Sequence, residues 1–189
     1  MDILIKRLRA YIIDLIIVIL ILIIIALLAH PNITNYQNEL NNLSSEYFKG
    51  KISLNTYLHE NSKIMKIIDT KNIFANILNI IIIVIYFIII PYLTKTTIGK
   101  KINHIKIKDI KNTKLTLKQL TIRSAIINGL FYFISVIICT IVIPANHYFS
   151  VISIISFIQI LLLIISISLI FKRKDKRGLH EILSQTYIK

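Results

Sequence analysis

The chain has no tryptophan, three prolines, four glycines and one cysteine in 189 residues, and only 9 Asp and Glu against 23 Lys and Arg. Each scarcity excludes something. A lone Cys139 cannot form an intramolecular disulfide, and within an apolar run it behaves as a small hydrophobe. The few glycines do not build a phosphate cradle, because Gly99-Lys100 has no upstream glycine at P-loop spacing. The shortage of acid leaves a net charge of +14, yet 55% of the residues are hydrophobic and the mean hydropathy is +0.71. Isoleucine alone takes 50 positions. So much aliphatic surface excludes a soluble enzyme of this length and a disordered chain. A basic charge balance points to nucleic acid only when the rest of the chain is soluble, so no nucleic-acid partner is expected. What remains is an integral membrane protein with basic flanks.

A helix needs about 20 mostly apolar residues to cross about 30 Å of hydrocarbon. Four runs meet this: residues 10–29, interrupted only by Asp14; 73–93, with Asn76, Asn79 and Pro91; 122–144; and 150–171. Residues 145–149 are too short to do more than join the last two as a tight helical hairpin. The first run exceeds the apolar stretch of a signal peptide and lacks a following small-x-small site, so it reads as a retained helix. The expected fold is all-α, a single membrane domain over 1–189. It has four transmembrane helices, a helical outer loop at 30–72 and a small amphipathic or β element on the other side.

Lys and Arg between spans set the orientation. The segments 1–9, 94–123 and 172–189 hold 3, 9 and 6 of them, whereas the loop 30–72 holds 5 in 43 residues. Four spans put the first three segments on one side, so both termini are expected in the cytoplasm of a multi-pass cell-membrane protein. The basic belt there attracts anionic lipid head groups, at about 1 kcal/mol per residue near the surface.

The outer loop reads as two short helices. Ile33, Tyr36, Leu40, Leu43 and Tyr47 form one amphipathic stripe, ended by Gly50. Leu54, Tyr57, Leu58, Met65 and Ile68 form another, capped by Ser53, with the Asn-rich faces in solvent. On the inner side, Ile98, Ile102 and Ile105 read as an interfacial stripe with Lys100 and Lys101 aimed at head groups. Residues 105–108 alternate with period two and favour a short strand, followed by a turn over Asp109–Asn112. The chain end Thr186-Tyr187-Ile188 is the available partner, and Thr116 is placed to cap the helix that enters the third span.

An ionisable residue inside a span marks a functional site by default. Asp14 is the clearest, about one turn inside the first span and roughly 6 Å along its axis from Ala10. Arg7 lies on the same helix face but two turns away. Arg123, at the start of the third span, is the better-placed partner. Asp14 and Arg123 are then an interhelical clamp, or Asp14 is a proton or cation ligand. Asn76, Asn79, Asn128 and Gln159 suit hydrogen bonds between helices, and Ser153, Ser156, Ser166 and Ser168 suit close packing. The scattered His59, His104 and His147, and the adjoining His180-Glu181, give no metal-site spacing. No enzyme, metal or other cofactor is expected.

Three segments together resemble the RDD family of membrane proteins. Arg7-Leu-Arg-Ala10-Tyr-Ile-Ile-Asp14 is similar to the family's opening, with an Arg before the first span and an Asp within it. Thr97-Ile-Gly99-Lys100-Lys101, then Ile105-Lys-Ile107, resembles its segment after the second span. Arg123 falls where the family often has an Arg, and Arg177-Gly-Leu-His180-Glu181-Ile-Leu-Ser-Gln-Thr186 is similar to its closing motif. The chain departs from the family where Glu181 replaces an Asp, Ser184-Gln185 an Ala-Gly pair and His104 a Gly. The resemblance implies a charge cluster of Arg7, Asp14 and Glu181 at the cytoplasmic face, and transport as the usual suggestion. The residues accordingly point to transport of small cations or protons through Asp14. The alternative is a non-transporting scaffold whose basic face holds lipid or a partner protein. Four helices are few for a pathway, so transport implies a homo-oligomer.

Overall fold

A computed structural model describes residues 3–29, 32–111 and 114–189. Asp2, His30 and Pro31 lie outside them, as does Asn112, the end of the expected turn. The chain is mostly helical. It runs α1 (Ile3–Ala29), α2 (Thr34–Phe48), α3 (Leu54–Lys71) and α4 (Ile73–Val84), then a π-helical turn (Ile85–Ile89) and α5 (Ile90–Thr94). After α6 (Ile98–Ile102) and β1 (Ile107–Asp109) come α7 (Leu117–Ile127), α8 (Leu130–Val142), α9 (Ala145–Lys172), α10 (Leu179–Leu183) and β2 (Thr186–Ile188).

Among the described residues, three segments are long and apolar enough to cross a membrane: Ile3–Leu27, Ile73–Thr94 and Ala145–Lys172. A fourth crossing exists if α7 and α8 count as one. Large aliphatic side chains face outward along these helices, Leu20, Ile24 and Ile160 among them, as a lipid solvent allows. The first and last spans start earlier than hydropathy indicates. Helix α1 already includes Arg7, and α9 begins at Ala145, so the expected hairpin at 145–149 is the first turn of a helix. The turn is only Ile143 and Pro144.

The third run is not a straight span. Helices α7 and α8 meet at 79°, because Asn128 ends α7 and Gly129 takes a left-handed backbone at φ +71. Asn-Gly is a turn dipeptide even inside an apolar run. The break deprives the Ile126 carbonyl of its helical donor, and a bare carbonyl in hydrocarbon costs several kcal/mol. The Gln159 side-chain amide on α9 donates to it at 2.8 Å, so Gln159 joins the helices where the break needs a donor. With 13 residues α8 is only about 20 Å long.

At one end, α2 and α3 form the expected pair. Ser53 caps α3 by accepting the Thr56 N–H at 3.2 Å, and Tyr47 stacks on Tyr57 with ring centroids 4.8 Å apart. Helix α3 is less solvated than its composition indicates, since Asn61 and Ser62 are buried. It lies over the α8–α9 turn. The Ser62 hydroxyl donates to the Ala145 carbonyl at 2.5 Å, Lys66 Nζ to Ile143 O at 2.6 Å, and the Tyr148 hydroxyl to Asp69 Oδ2 at 2.6 Å. Burial pushes the Asp69 carboxyl up from its ordinary value, with Tyr148 opposing.

The other end carries the small sheet. Strands β1 and β2 pair antiparallel, Ile107 opposite Ile188 and Asp109 opposite Thr186. Thr116 caps α7 through a reciprocal box with Gln119. Ile107, Leu115 and Leu120 pack with Ile83, Ile88 and Leu130 in one apolar cluster, which fixes this end to the second span.

Candidate functional site

Lipid is as apolar as leucine, so helix burial within it gains little and polar contacts decide how helices associate. One dense group of such contacts lies at the end bearing the sheet, around two buried carboxylates.

The first is Asp14, fully buried on α1. Its Oδ1 accepts from the Tyr86 hydroxyl at 2.6 Å and the Gly99 N–H at 2.8 Å; its Oδ2 accepts from the Thr97 hydroxyl at 2.5 Å and Lys100 Nζ at 3.2 Å. Each donor has a local origin. Pro91 has no N–H and its ring crowds the preceding turn, and the helix just before it widens into the π-helical turn that holds Tyr86. Helix α6 lays Gly99 flat on α1. A Cβ on Gly99 would stand 2.2 Å from the Ala10 carbonyl oxygen and 2.8 Å from Asp14 Oδ1. Ala10, itself 1% exposed, is small for the same reason.

Lys100 reverses its expected direction. Instead of reaching for head groups it turns inward, and its ammonium sits on Asp14 Oδ2 and on Thr97 Oγ1 at 3.0 Å. Burial pushes it down to about 8, against the pull of Asp14 and with help from nearby Arg123. Of the expected interfacial stripe, Ile98 and Ile102 are exposed but Ile105 is buried.

The second carboxylate is Glu181 on α10, fully buried. Arg7 Nη2 binds its Oε2, which also accepts the Gly178 N–H at 3.0 Å. Arg123 Nη1 lies 3.5 Å from Oε1 and donates to the Thr186 hydroxyl at 3.2 Å. Arg7 Nη1 donates to the Lys176 carbonyl at 2.5 Å. Thus Arg123 is not the partner of Asp14. It enters α7 on the side facing α10, and the closing segment brings it a carboxylate of its own. The single cluster expected of Arg7, Asp14 and Glu181 is instead two pairings, Asp14 with Lys100 and Glu181 with both arginines. The field of Lys100 reaches Glu181 and Arg123.

His180 is buried against Ser166, Nδ1 to Oγ 2.6 Å. Burial, then Arg123 and Arg7, hold its imidazole well below the ordinary histidine range, so it is neutral. Gly178 approaches Ser166 so closely that a Cβ would lie 2.8 Å from its carbonyl oxygen. Thr186 also shares a hydrogen bond with Ser184 at 2.8 Å. Arg177 stands apart, paired with Asp175 on the surface. Among the described residues, no three His, Cys, Asp or Glu side chains gather to hold a metal ion.

Tyr86, Ser166 and Gly178 are the site residues that sequence reasoning misses or undervalues. Tyr86 is one aromatic in an isoleucine run, and its signal is Pro91 five residues on. The departures at His104 and Gln185 fall where glycine would be favoured, since both hold left-handed backbone, φ 55 and φ 53. Such a residue costs roughly 1–2 kcal/mol, partly offset by the greater entropy a glycine loses. His104→Gly and Gln185→Gly should each stabilise by about 0.5 kcal/mol and raise the thermal midpoint in detergent; a lowered midpoint contradicts this reading.

The model of the RDD family matches residues 3–185 of the chain. No curated protein and no solved structure matches it significantly.

Proposed function

The chain belongs to the RDD family, a family of membrane proteins, and from that premise we propose that it exchanges a small monovalent cation for a proton at the Asp14–Lys100 pair. The observation that carries the reading is the seat of the Lys100 ammonium. It rests on one carboxylate oxygen and one hydroxyl oxygen, at 3.2 and 3.0 Å, ligands that a small hard cation also accepts. The Tyr86, Thr97 and Gly99 donors hold the carboxylate in place while its fourth partner is replaced. Because burial brings Lys100 to about 8, its proton can leave near neutral pH. The step balances: a monovalent cation arrives at Asp14 Oδ2 and Thr97 Oγ1, Lys100 becomes a neutral amine, and one proton departs. The charge of the site is the same before and after.

The site is cytoplasmic in this reading. The segments at its end carry 18 of the 23 Lys and Arg, which is the bias that orients loops inward. A complete path requires more than one copy, since the described residues of each contribute at most four spans. The chain acts as a carrier rather than an enzyme. The rival reading, a scaffold, draws on the same four donors, which also make a good clamp. Asp14→Asn in liposomes loaded with pH- and Na⁺-sensitive dyes should abolish exchange while leaving insertion intact. Unchanged flux would remove Asp14 from the mechanism.

A further inference from the structure

Helix α1 packs against α4 and α6, and across its remaining face lies a cleft of about 500 Å³ shared with α9. Such a volume is typical of small-ligand sites, roughly 300–1,000 Å³. Its walls are apolar and regular. Leu4 and Leu8 line it from α1, and Leu163, Ile167 and Ile170 from α9, each set spaced along a single helical face. Leu8 and Ile167 are 60% and 52% exposed, so the cleft opens sideways where lipid would be. Its inner end is closed by Arg7, Lys100, Arg123 and neutral His180.

The charges at that end do not cancel. Three cations, Arg7, Lys100 and Arg123, face two carboxylates, Asp14 and Glu181. Lys100 takes Asp14, and Arg7 takes Glu181. Arg123 is left with the far oxygen of a carboxylate already bound, at 3.5 Å, and with the neutral Thr186 hydroxyl. A surplus positive charge buried at the edge of hydrocarbon is costly, and one anion would relieve it. The walls, the sideways opening and the surplus charge all describe the same visitor.

We propose that the cleft between α1 and α9 is a binding site for one anionic phospholipid, its phosphate at the Arg7–Lys100–Arg123 end and one acyl chain along the apolar walls. The volume suits a single chain, and the second chain stays in the bilayer. This goes beyond the exchange reading and does not depend on it, because it needs the positive charge at the Arg7–Lys100–Arg123 end and the apolar walls, not release of the proton on Lys100.

Native mass spectrometry of the full chain in mild detergent tests it, with equimolar dioleoylphosphatidylglycerol and dioleoylphosphatidylcholine added. One phosphatidylglycerol should be retained in about tenfold preference, which is 1.4 kcal/mol. Ile167→Trp fills the cleft without touching a charge and should lose that lipid. Ile154→Trp, on the same helix, outside the cleft and similarly exposed, should keep it. Equal retention of both lipids overturns the proposal, as does undiminished retention by Ile167→Trp. Displacement of the bound lipid by inorganic phosphate alone, or a preference for palmitate, also overturns it. So does a lipid-free dimer in which a second copy covers the cleft.

Discussion

Gly99→Ala should release α6 from α1 and prevent the protein from accumulating as a folded species. The new Cβ would stand 2.2 Å from the Ala10 carbonyl oxygen, which is backbone and cannot swing aside, and 2.8 Å from Asp14 Oδ1. Relief requires α6 to lift, and the Gly99 N–H, Thr97 and Lys100 move with it. Overpacking of this kind costs about 1–3 kcal/mol. Each lost hydrogen bond to a charged group adds about 1.5–3 kcal/mol. A loss of about 5 kcal/mol is comparable to the whole stability of many domains. Gly50→Ala is the control: it has φ +69 but nothing within 4 Å of an added Cβ, so it should cost only about 1–2 kcal/mol. Fluorescence-detected size exclusion and thermal midpoints in detergent separate the two. A wild-type midpoint for Gly99→Ala would mean that α1 and α6 are not so closely applied.

Glu181→Gln should have the second large effect. The carboxylate pairs with both Arg7 and Arg123, and removing its charge leaves two guanidiniums facing each other in a buried site. Breaking a buried pair from one side typically costs about 3–5 kcal/mol. The closing segment should detach, and β2 with it, so that the last residues become sensitive to protease. Glu181→Asp keeps the charge one methylene short and should retain the fold. A protease-resistant Glu181→Gln protein with an unchanged midpoint would show that the arginines find compensation elsewhere.

How much of this was legible follows from the nature of each signal. Hydropathy is one-dimensional, so the three long spans and the outer helix pair are readable, as is the alternation at 105–108 that finds Thr186–Ile188. Asp14 is readable because a carboxylate in an apolar run stands out. Its partner is not. Depth points to Arg123, whereas the observed partner is Lys100, and that pairing depends on α6 lying flat on α1, which Gly99 permits but does not announce. Likewise the break at Asn128-Gly129 is hidden inside a run long enough to span, although the dipeptide itself signals a turn. Lys100 misleads for a related reason: next to Lys101 it reads as surface, and only the fold distinguishes the buried lysine from the exposed one.

The distinction between a clamp and an exchanger rests on that lysine. Arginine keeps the positive charge and the reach toward Asp14 but cannot release its proton in a protein. The decisive measurement is cation-driven proton flux in liposomes holding wild type or Lys100→Arg, at a series of pH values. Wild-type exchange should rise as pH increases through about 8, where Lys100 gives up its proton. Lys100→Arg should insert and fold, yet leave flux at the level of protein-free liposomes at every pH. Flux through Lys100→Arg equal to wild type would contradict the account and leave the Asp14–Lys100 pair as a structural clamp.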